Sequence, residues 1–178
     1  MITILIDKLI TRLTNSYRRK VFKYYTHTTH DDFIIVGKIN LINRNIIVGK
    51  GVKIYPDVTF WGDGTIILKD NVGVGQGTII YASKKNGGIV IGENTQIAAQ
   101  CFIIDMDHGI SAGVDIIKQN NTLGPVSNGN NVWISAGVKI LKGTKLCDGT
   151  VVGAGAVVKG EIPANAIAVG VPAKVIRY

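Results

Sequence analysis

The sequence is poor in cysteine, proline and aromatic residues, and it has no long apolar run. Its 178 residues include 2 Cys, 4 Pro and 7% aromatic residues. Cys101 and Cys147 form no CxxC pair, which argues against a disulfide framework and a structural zinc site. We therefore expect a reducing, cytoplasmic compartment. No apolar run approaches the roughly 20 residues that span a bilayer, so no transmembrane helix is expected.

The chain is instead rich in glycine, aliphatic residues and positive charge. It contains 22 Gly, is 46% hydrophobic and has a formal net charge of +8. This mixture favours short strands joined by tight corners over a helical bundle. A basic surface attracts nucleic acid, acidic lipid or a phosphate-rich cofactor, and charge alone does not choose among them. Because no recognition motif or aromatic platform accompanies the charge, nucleic acid is not the expected partner.

Aliphatic residues recur every six positions along most of the chain. Shorter stretches of the same frame occupy residues 48–60, 68–80 and 91–103. Glycines recur at the same six-residue spacing between the later aliphatic positions. The longest run of inward candidates is Ile134, Ile140, Leu146, Val152 and Val158.

A six-residue repeat predicts a β-solenoid. One large aliphatic side chain points inward from each short strand, a smaller one follows near the corner, and Gly, Asn or Asp makes the bend. Three units make one triangular coil, and we expect about five regular coils after an irregular first coil near Ile34 to Ile47. The spacing does not fit the period of an α-helix. A sandwich of short strands with glycine turns is the alternative.

The ends and the interruptions of the repeat divide the chain. Residues 1–30 predict an amphipathic basic helical segment, which either caps the open end of the solenoid or contacts an anionic membrane. The solenoid is expected over residues 31–165, with insertions at 83–88 and 109–127, and a tail follows at 166–178. Long loops in compact domains are often functional.

Three segments carry a family resemblance. These segments resemble the hexapeptide-repeat acyltransferases, and they are Asn131–Ile140, Val152–Lys159 and Ala168–Arg177. The similarity is to the branch with maltose, galactoside and nodulation-factor O-acetyltransferases and, above all, the sugar acetyltransferases of polysaccharide clusters. It covers about residues 46–178. It implies an all-β, left-handed parallel β-helix with a short N-terminal helical segment, a homotrimer with active sites between subunits, acetyl-CoA as co-substrate and no metal.

His108 is the candidate general base. It stands where the third regular coil breaks into the long insertion, and the resemblance assigns the catalytic histidine to this position. A neutral imidazole can remove the proton that makes a hydroxyl a poor nucleophile. Asp105, Asp107 or a backbone carbonyl could orient the ring. Neighbouring side chains on a strand point apart, which favours Asp105, although both carboxylates could simply be solvated.

The resemblance also assigns the remaining site residues. The backbone amide of Ala136 would stabilise the oxyanion. Trp133 and Asp107 would face the acceptor, although Trp133 could line the pantetheine path or merely pack. The positions that match cofactor contacts of the family are Ala136, Ala154, Lys159, Gly160, Lys174 and Arg177.

One position departs from the pattern. Asn128 stands where the frame requires an inward aliphatic residue, so either the frame resumes only at Val132 and Ile134 or the amide hydrogen-bonds inside the coil.

We expect a cytoplasmic, acetyl-CoA-dependent sugar O-acetyltransferase of bacterial surface-polysaccharide synthesis, which could contact the inner face of the membrane through its N-terminal helix. The alternatives are N-acetylation of a nucleotide-linked amino sugar and a non-catalytic or metal-dependent β-helix.

Overall fold

The computed structural model describes residues 2–83 and 88–178. The insertion predicted at residues 83–88 lies outside the described residues, apart from its two ends. One helix, α1 (Ile2–Tyr25), precedes a solenoid of short parallel strands. The parallel β-helix and the N-terminal helical segment are therefore confirmed.

The solenoid has three faces, each a parallel sheet, and each complete coil contributes one strand to every face. Face A contains β1 (Phe33–Ile35), β4 (Val52–Ile54), β7 (Gly73–Val74), β10 (Gln96–Ile97), β15 (Trp133–Ile134), β18 (Val151–Val152) and β21 (Ile167–Val169). Face B contains β2 (Asn40–Leu41), β5 (Thr59–Trp61), β8 (Ile79–Tyr81), β11 (Phe102–Ile104), β16 (Lys139–Ile140) and β19 (Val157–Val158). Face C contains β3 (Ile46–Val48), β6 (Thr65–Leu68), β9 (Gly88–Ile91), β14 (Val126–Asn128), β17 (Lys145–Leu146) and β20 (Glu161–Ile162).

Four further elements lie outside the parallel faces. Strands β12 (Met106–Asp107) and β13 (Thr122–Leu123) form an antiparallel hairpin at the base of the long insertion, which also contains a 3-10 helix at Ile116–Lys118. The last strand, β22 (Lys174–Arg177), folds back antiparallel on β21.

Inward side chains stack in register from coil to coil. The five aliphatic residues of the longest six-residue run are all buried. Ile134 lies opposite Ile97 and Val152 in the parallel ladder, and Ile140 lies between Ile103 and Val158. Within the described residues, five regular coils follow a first coil built by β1 to β3, as the repeat predicts.

The corners use a left-handed backbone. Gly137 and Gly155 have φ values of 69° and 68°, a region that residues with a Cβ rarely occupy. The regular glycine spacing in the sequence therefore reflects the bend at each corner.

The hydroxyls of small inward residues near the corners donate hydrogen bonds to backbone carbonyls. The Thr144 hydroxyl donates to Val158 O at 3.1 Å, and the Thr150 hydroxyl donates to Cys147 O at 2.7 Å. Cys101 is buried at an equivalent position, and burial raises the pKa of its thiol. These residues pack as part of the core.

Asn128 is the exception among the inward residues. Its strand is in register with β9 and β17, so the repeat frame already resumes here and Asn128 lies opposite Leu146 in the face C ladder. The side chain is 5% exposed, and neither amide atom has a hydrogen-bond partner among the described residues. The alternative in which the frame resumes only at Val132 is wrong, and so is the internal hydrogen bond.

Helix α1 covers the first coil with its C-terminal half. Phe22 is buried, and its ring centroid lies 5.5 Å from that of Phe33 and 6.3 Å from that of Phe60. The other end of the solenoid extends further than expected. Strand β21 continues the face A ladder to Val169, within the segment predicted as a tail, because Ala168 fills the inward position beside Val152.

We predict that Asn128→Val stabilises the chain by about 1–2 kcal/mol, because an unpaired buried amide costs more than an apolar group of similar size. The midpoint of thermal or urea unfolding measures the change. Thr144→Val is the matched control, and it should not stabilise because the Thr144 hydroxyl is paired. An unfolding midpoint for Asn128→Val at or below that of the wild type would contradict this reading of the core.

Candidate active site

The long insertion leaves the solenoid at one corner and returns to the next face in register. Strand β12 pairs with β13, with Met106 opposite Leu123 and Asp107 opposite Thr122. The Gly124 amide donates to Asp105 O at 2.9 Å, and this bond closes the base of the insertion. The chain can therefore project a loop without losing the stacking of the coils.

The next coil holds the base of the hairpin. The Lys142 ammonium lies 3.4 Å from the Asp107 carboxylate and donates a hydrogen bond to the Thr122 hydroxyl. Both hairpin strands are thus tied to the corner that follows β16. The Lys142 side chain is 21% exposed and that of Asp107 is 44% exposed, so the pair is only partly shielded from solvent.

His108 follows this anchored strand and is exposed at the edge of a cleft of about 930 Å³. A cleft of this size can hold a sugar or a similar small molecule. The side chains that define its walls are Trp61, Tyr81, Met106, Asp107, Lys142 and Lys159.

One wall of the cleft is a stacked aromatic pair. The ring centroids of Trp61 and Tyr81 are 5.0 Å apart, with planes 17° from parallel, because β5 and β8 place them opposite each other. Trp61 is 48% exposed, so a flat apolar surface faces the space beside His108. Neither residue was predicted from the sequence as part of the site. The available signal was that each directly follows an inward residue of face B, one coil apart.

Asp105 lies inside the solenoid and not in the cleft. Its carboxylate is fully buried and accepts a hydrogen bond of 2.8 Å from the Ser83 amide. Its second oxygen and the Ser83 hydroxyl have no partner among the described residues. None of the hydrogen bonds within residues 2–83 and 88–178 joins Asp105 to His108, so a role in orienting the ring stays a prediction.

The predicted site residues fall on two different corners of the triangle. Four of these residues lie where face B turns into face C, namely His108, Asp107, Lys159 and Gly160. All of them except Gly160 line the cleft. Ala136 lies where face A turns into face B, before β16. Lys142, which lines the cleft, follows Ala136 by six residues across face B, so the Ala136 corner and Lys142 are at most about 20 Å apart along the chain.

The corner between faces A and B has a smooth, exposed surface. Ala136 and Ala154 are both exposed and lie on successive coils, where the Gly155 amide donates to Ala136 O at 2.9 Å. A Cβ atom added to Gly137 or Gly155 would meet no atom within 4 Å. This corner therefore offers an open strip of backbone.

The remaining predicted residues lie on or beside face A. Trp133 is 55% exposed on β15, close in sequence to Ala136. Lys174 and Arg177 are exposed on β22 at the end of face A. One chain therefore brings His108 and Lys159 together, while Ala136 and strand β22 with its two cationic residues lie elsewhere.

Comparison with known proteins identifies the family. The profile described as "Bacterial transferase hexapeptide (six repeats)" matches residues 129–160. WbbJ of Escherichia coli (strain K12), described as a "Putative lipopolysaccharide biosynthesis O-acetyl transferase", is 33% identical over 180 residues, which cover 96% of this chain and 84% of WbbJ.

Two solved structures share the fold. A maltose O-acetyltransferase from Clostridium difficile 630 has a TM-score of 0.62 and 28% identity, over 96% of this chain and 82% of that one. A mutant of AntD, an N-acyltransferase from Bacillus cereus in complex with dTDP-4-amino-4,6-dideoxyglucose and coenzyme A, has a TM-score of 0.75 and 20% identity, over 90% of this chain and 88% of that one. Because the chain is 33% identical to WbbJ and the match covers 84% of WbbJ, the chain belongs to the hexapeptide-repeat acetyltransferase family.

Proposed function

We propose that this acetyltransferase transfers the acetyl group of acetyl-CoA to a sugar hydroxyl during the synthesis of a bacterial surface polysaccharide, in the cytoplasm. The observation that carries the proposal is the exposed His108 at the edge of a cleft with an aromatic wall. The similarity to WbbJ over 96% of the chain supports the substrate class.

His108 acts as the general base in this proposal. The neutral imidazole accepts the acceptor hydroxyl proton while the hydroxyl oxygen attacks the thioester carbonyl carbon. The new C–O bond forms, the C–S bond of the tetrahedral species breaks, and the imidazolium returns its proton to the departing thiolate. Asp107 and Lys142 hold the strand that precedes His108, and so they position the base.

The corner between faces A and B suits the donor. The exposed strip at Ala136 and Ala154 gives a long, thin pantetheine arm access to the backbone, because no side chain fills the space beside Gly137 and Gly155. The Ala136 amide would donate to the developing oxyanion. Lys174 and Arg177, exposed on β22, would attract the phosphates, and Trp133 would line the same corner.

The separation of the two corners supports a site shared between subunits. A base and an oxyanion donor must both lie about 3 Å from the reacting group. Within one chain a whole face separates His108 from Ala136. A closed ring of three copies can bring the cleft of one subunit against the Ala136 corner of the next. We therefore propose a homotrimer with three such sites.

The aromatic wall supports a sugar as the acceptor. Pyranose rings present apolar C–H faces that pack on flat aromatic rings, while their hydroxyls need polar partners. Trp61 and Tyr81 supply the flat surface, and Asp107 and Lys142 supply polar groups around it.

We predict that His108→Gln lowers kcat/KM for acetyl transfer by about 10²- to 10⁴-fold, the usual contribution of a general base. Thiol release in the presence of a panel of sugars and amino sugars measures the rate. Alkali-labile product identifies an ester, and alkali-stable product identifies an amide. His27→Gln, an exposed histidine before the solenoid, is the control and should retain activity. Undiminished transfer by His108→Gln would exclude the mechanism.

We also predict that Trp61→Ala raises KM for the sugar by about 3- to 10-fold, the magnitude of one lost aromatic contact. KM for acetyl-CoA should stay unchanged, because Trp61 lies in the acceptor cleft and not on the donor corner. Trp61→Phe keeps a flat ring and should remain near the wild-type KM. Equal effects of the alanine and phenylalanine variants, or no effect of either, would show that the wall does not contact the acceptor.

A further inference from the structure

Helix α1 is clamped to the solenoid through one side of its C-terminal half. Phe22 is buried against Phe33 and Phe60. The Lys23 ammonium lies 2.9 Å from the Asp31 carboxylate, and Arg19 donates to Asp31 O at 3.3 Å. The orientation of the whole helix is therefore set by contacts near its C-terminal end.

The opposite side of α1 carries an apolar stripe that faces solvent. Each of its members has another member three, four or seven residues away, which places them on one helical face. Phe22 follows Leu13 by nine residues, about two and a half turns, so the stripe points away from the solenoid. Each member is more than half exposed, and the apolar stripe consists of Ile6 52%, Leu9 58%, Ile10 55%, Leu13 62%, Tyr17 69% and Tyr24 82%.

Positive charge accompanies the apolar stripe. Residues 2–25 contain six basic residues and a single acidic one. Lys8, Arg12 and Lys20 are exposed along the helix, and Lys20 follows Leu13 by about two turns, beside the stripe. Long basic side chains at such positions can bury their stems in an apolar layer while the charge reaches a polar headgroup.

Two physical arguments restrict the kind of partner that can cover the apolar stripe. In the part of the chain that the structure describes, no helix has the length and apolar character needed to cross a bilayer. A second copy of the helix would bring the same positive charges together, and like charges repel. An anionic lipid surface complements both the apolar stripe and the basic residues.

We propose that α1 lies in the interface of an anionic phospholipid bilayer, with the apolar stripe among the acyl chains and the basic residues at the headgroups. The clamp at Phe22 then holds the first coil beside the membrane. This surface is separate from the cleft at His108, and it needs no assumption about the reaction.

The test uses the full chain and lipid vesicles. We expect it to sediment with vesicles of phosphatidylcholine that contain about 30 mol% phosphatidylglycerol, and weakly or not at all with phosphatidylcholine alone. Added salt should reduce the bound fraction. The double variant Leu9→Glu/Leu13→Glu should lower vesicle affinity by about tenfold or more, and Arg12→Glu/Lys20→Glu should also lower it.

The controls distinguish the effect of a charge in the apolar stripe from the effect of a charge at any exposed position. Ile117→Glu changes a side chain that is 93% exposed on the long insertion and should leave vesicle binding unchanged. Circular dichroism and Tm of the helix variants should match the wild type, because the replaced side chains are exposed. Equal binding to both vesicle types, or unchanged binding by Leu9→Glu/Leu13→Glu, would overturn the proposal. So would a fall in oligomeric mass of this variant without vesicles, which would make the stripe a subunit interface.

Discussion

Parallel stacking of one coil on the next constrains every other feature of this molecule. Each strand must lie in register with its neighbours, so that inward aliphatic side chains meet like side chains and the backbone groups pair between coils. Inward residues such as Ile134 and Ile140 cannot contact a substrate, since they are fully buried. The corners and the outward positions are the only places where sequence can vary without disturbing the ladder.

The long insertion illustrates how this constraint is met. The chain leaves after β11 and returns at β14, yet β14 still pairs with the strands of the coils on either side. The hydrogen bond from the Gly124 amide to Asp105 O and the anchoring of Asp107 by Lys142 close the base of the loop. A loop anchored in this way can present His108 at a defined position beside the aromatic wall. The same geometry leaves Ala136 on another corner, which is why a second subunit is needed for the proposed reaction.

The regular part of the fold was predictable because one interaction dominates it. The six-residue spacing identifies the inward residues and the glycine corners, and the break in the repeat locates His108. The aromatic wall could not be read in the same way. Trp61 and Tyr81 are outward residues whose pairing depends on which strands become neighbours in space. Asn128 is a different case. The six-residue frame correctly predicts its inward position, but an unpaired amide inside the core is unfavourable and was not expected from the residue type.

In the proposed reaction each active site is built from two chains, and complementation between inactive subunits tests this arrangement. His108→Gln removes the proposed base, and Ala136→Pro removes the backbone N–H that would stabilise the oxyanion. Each variant alone should be nearly inactive as a homotrimer. If the two residues of a site come from different subunits, random mixed trimers regain activity, with about one quarter of the sites intact in an equal mixture. Mixed trimers that remain as inactive as the separate variants would contradict the shared site.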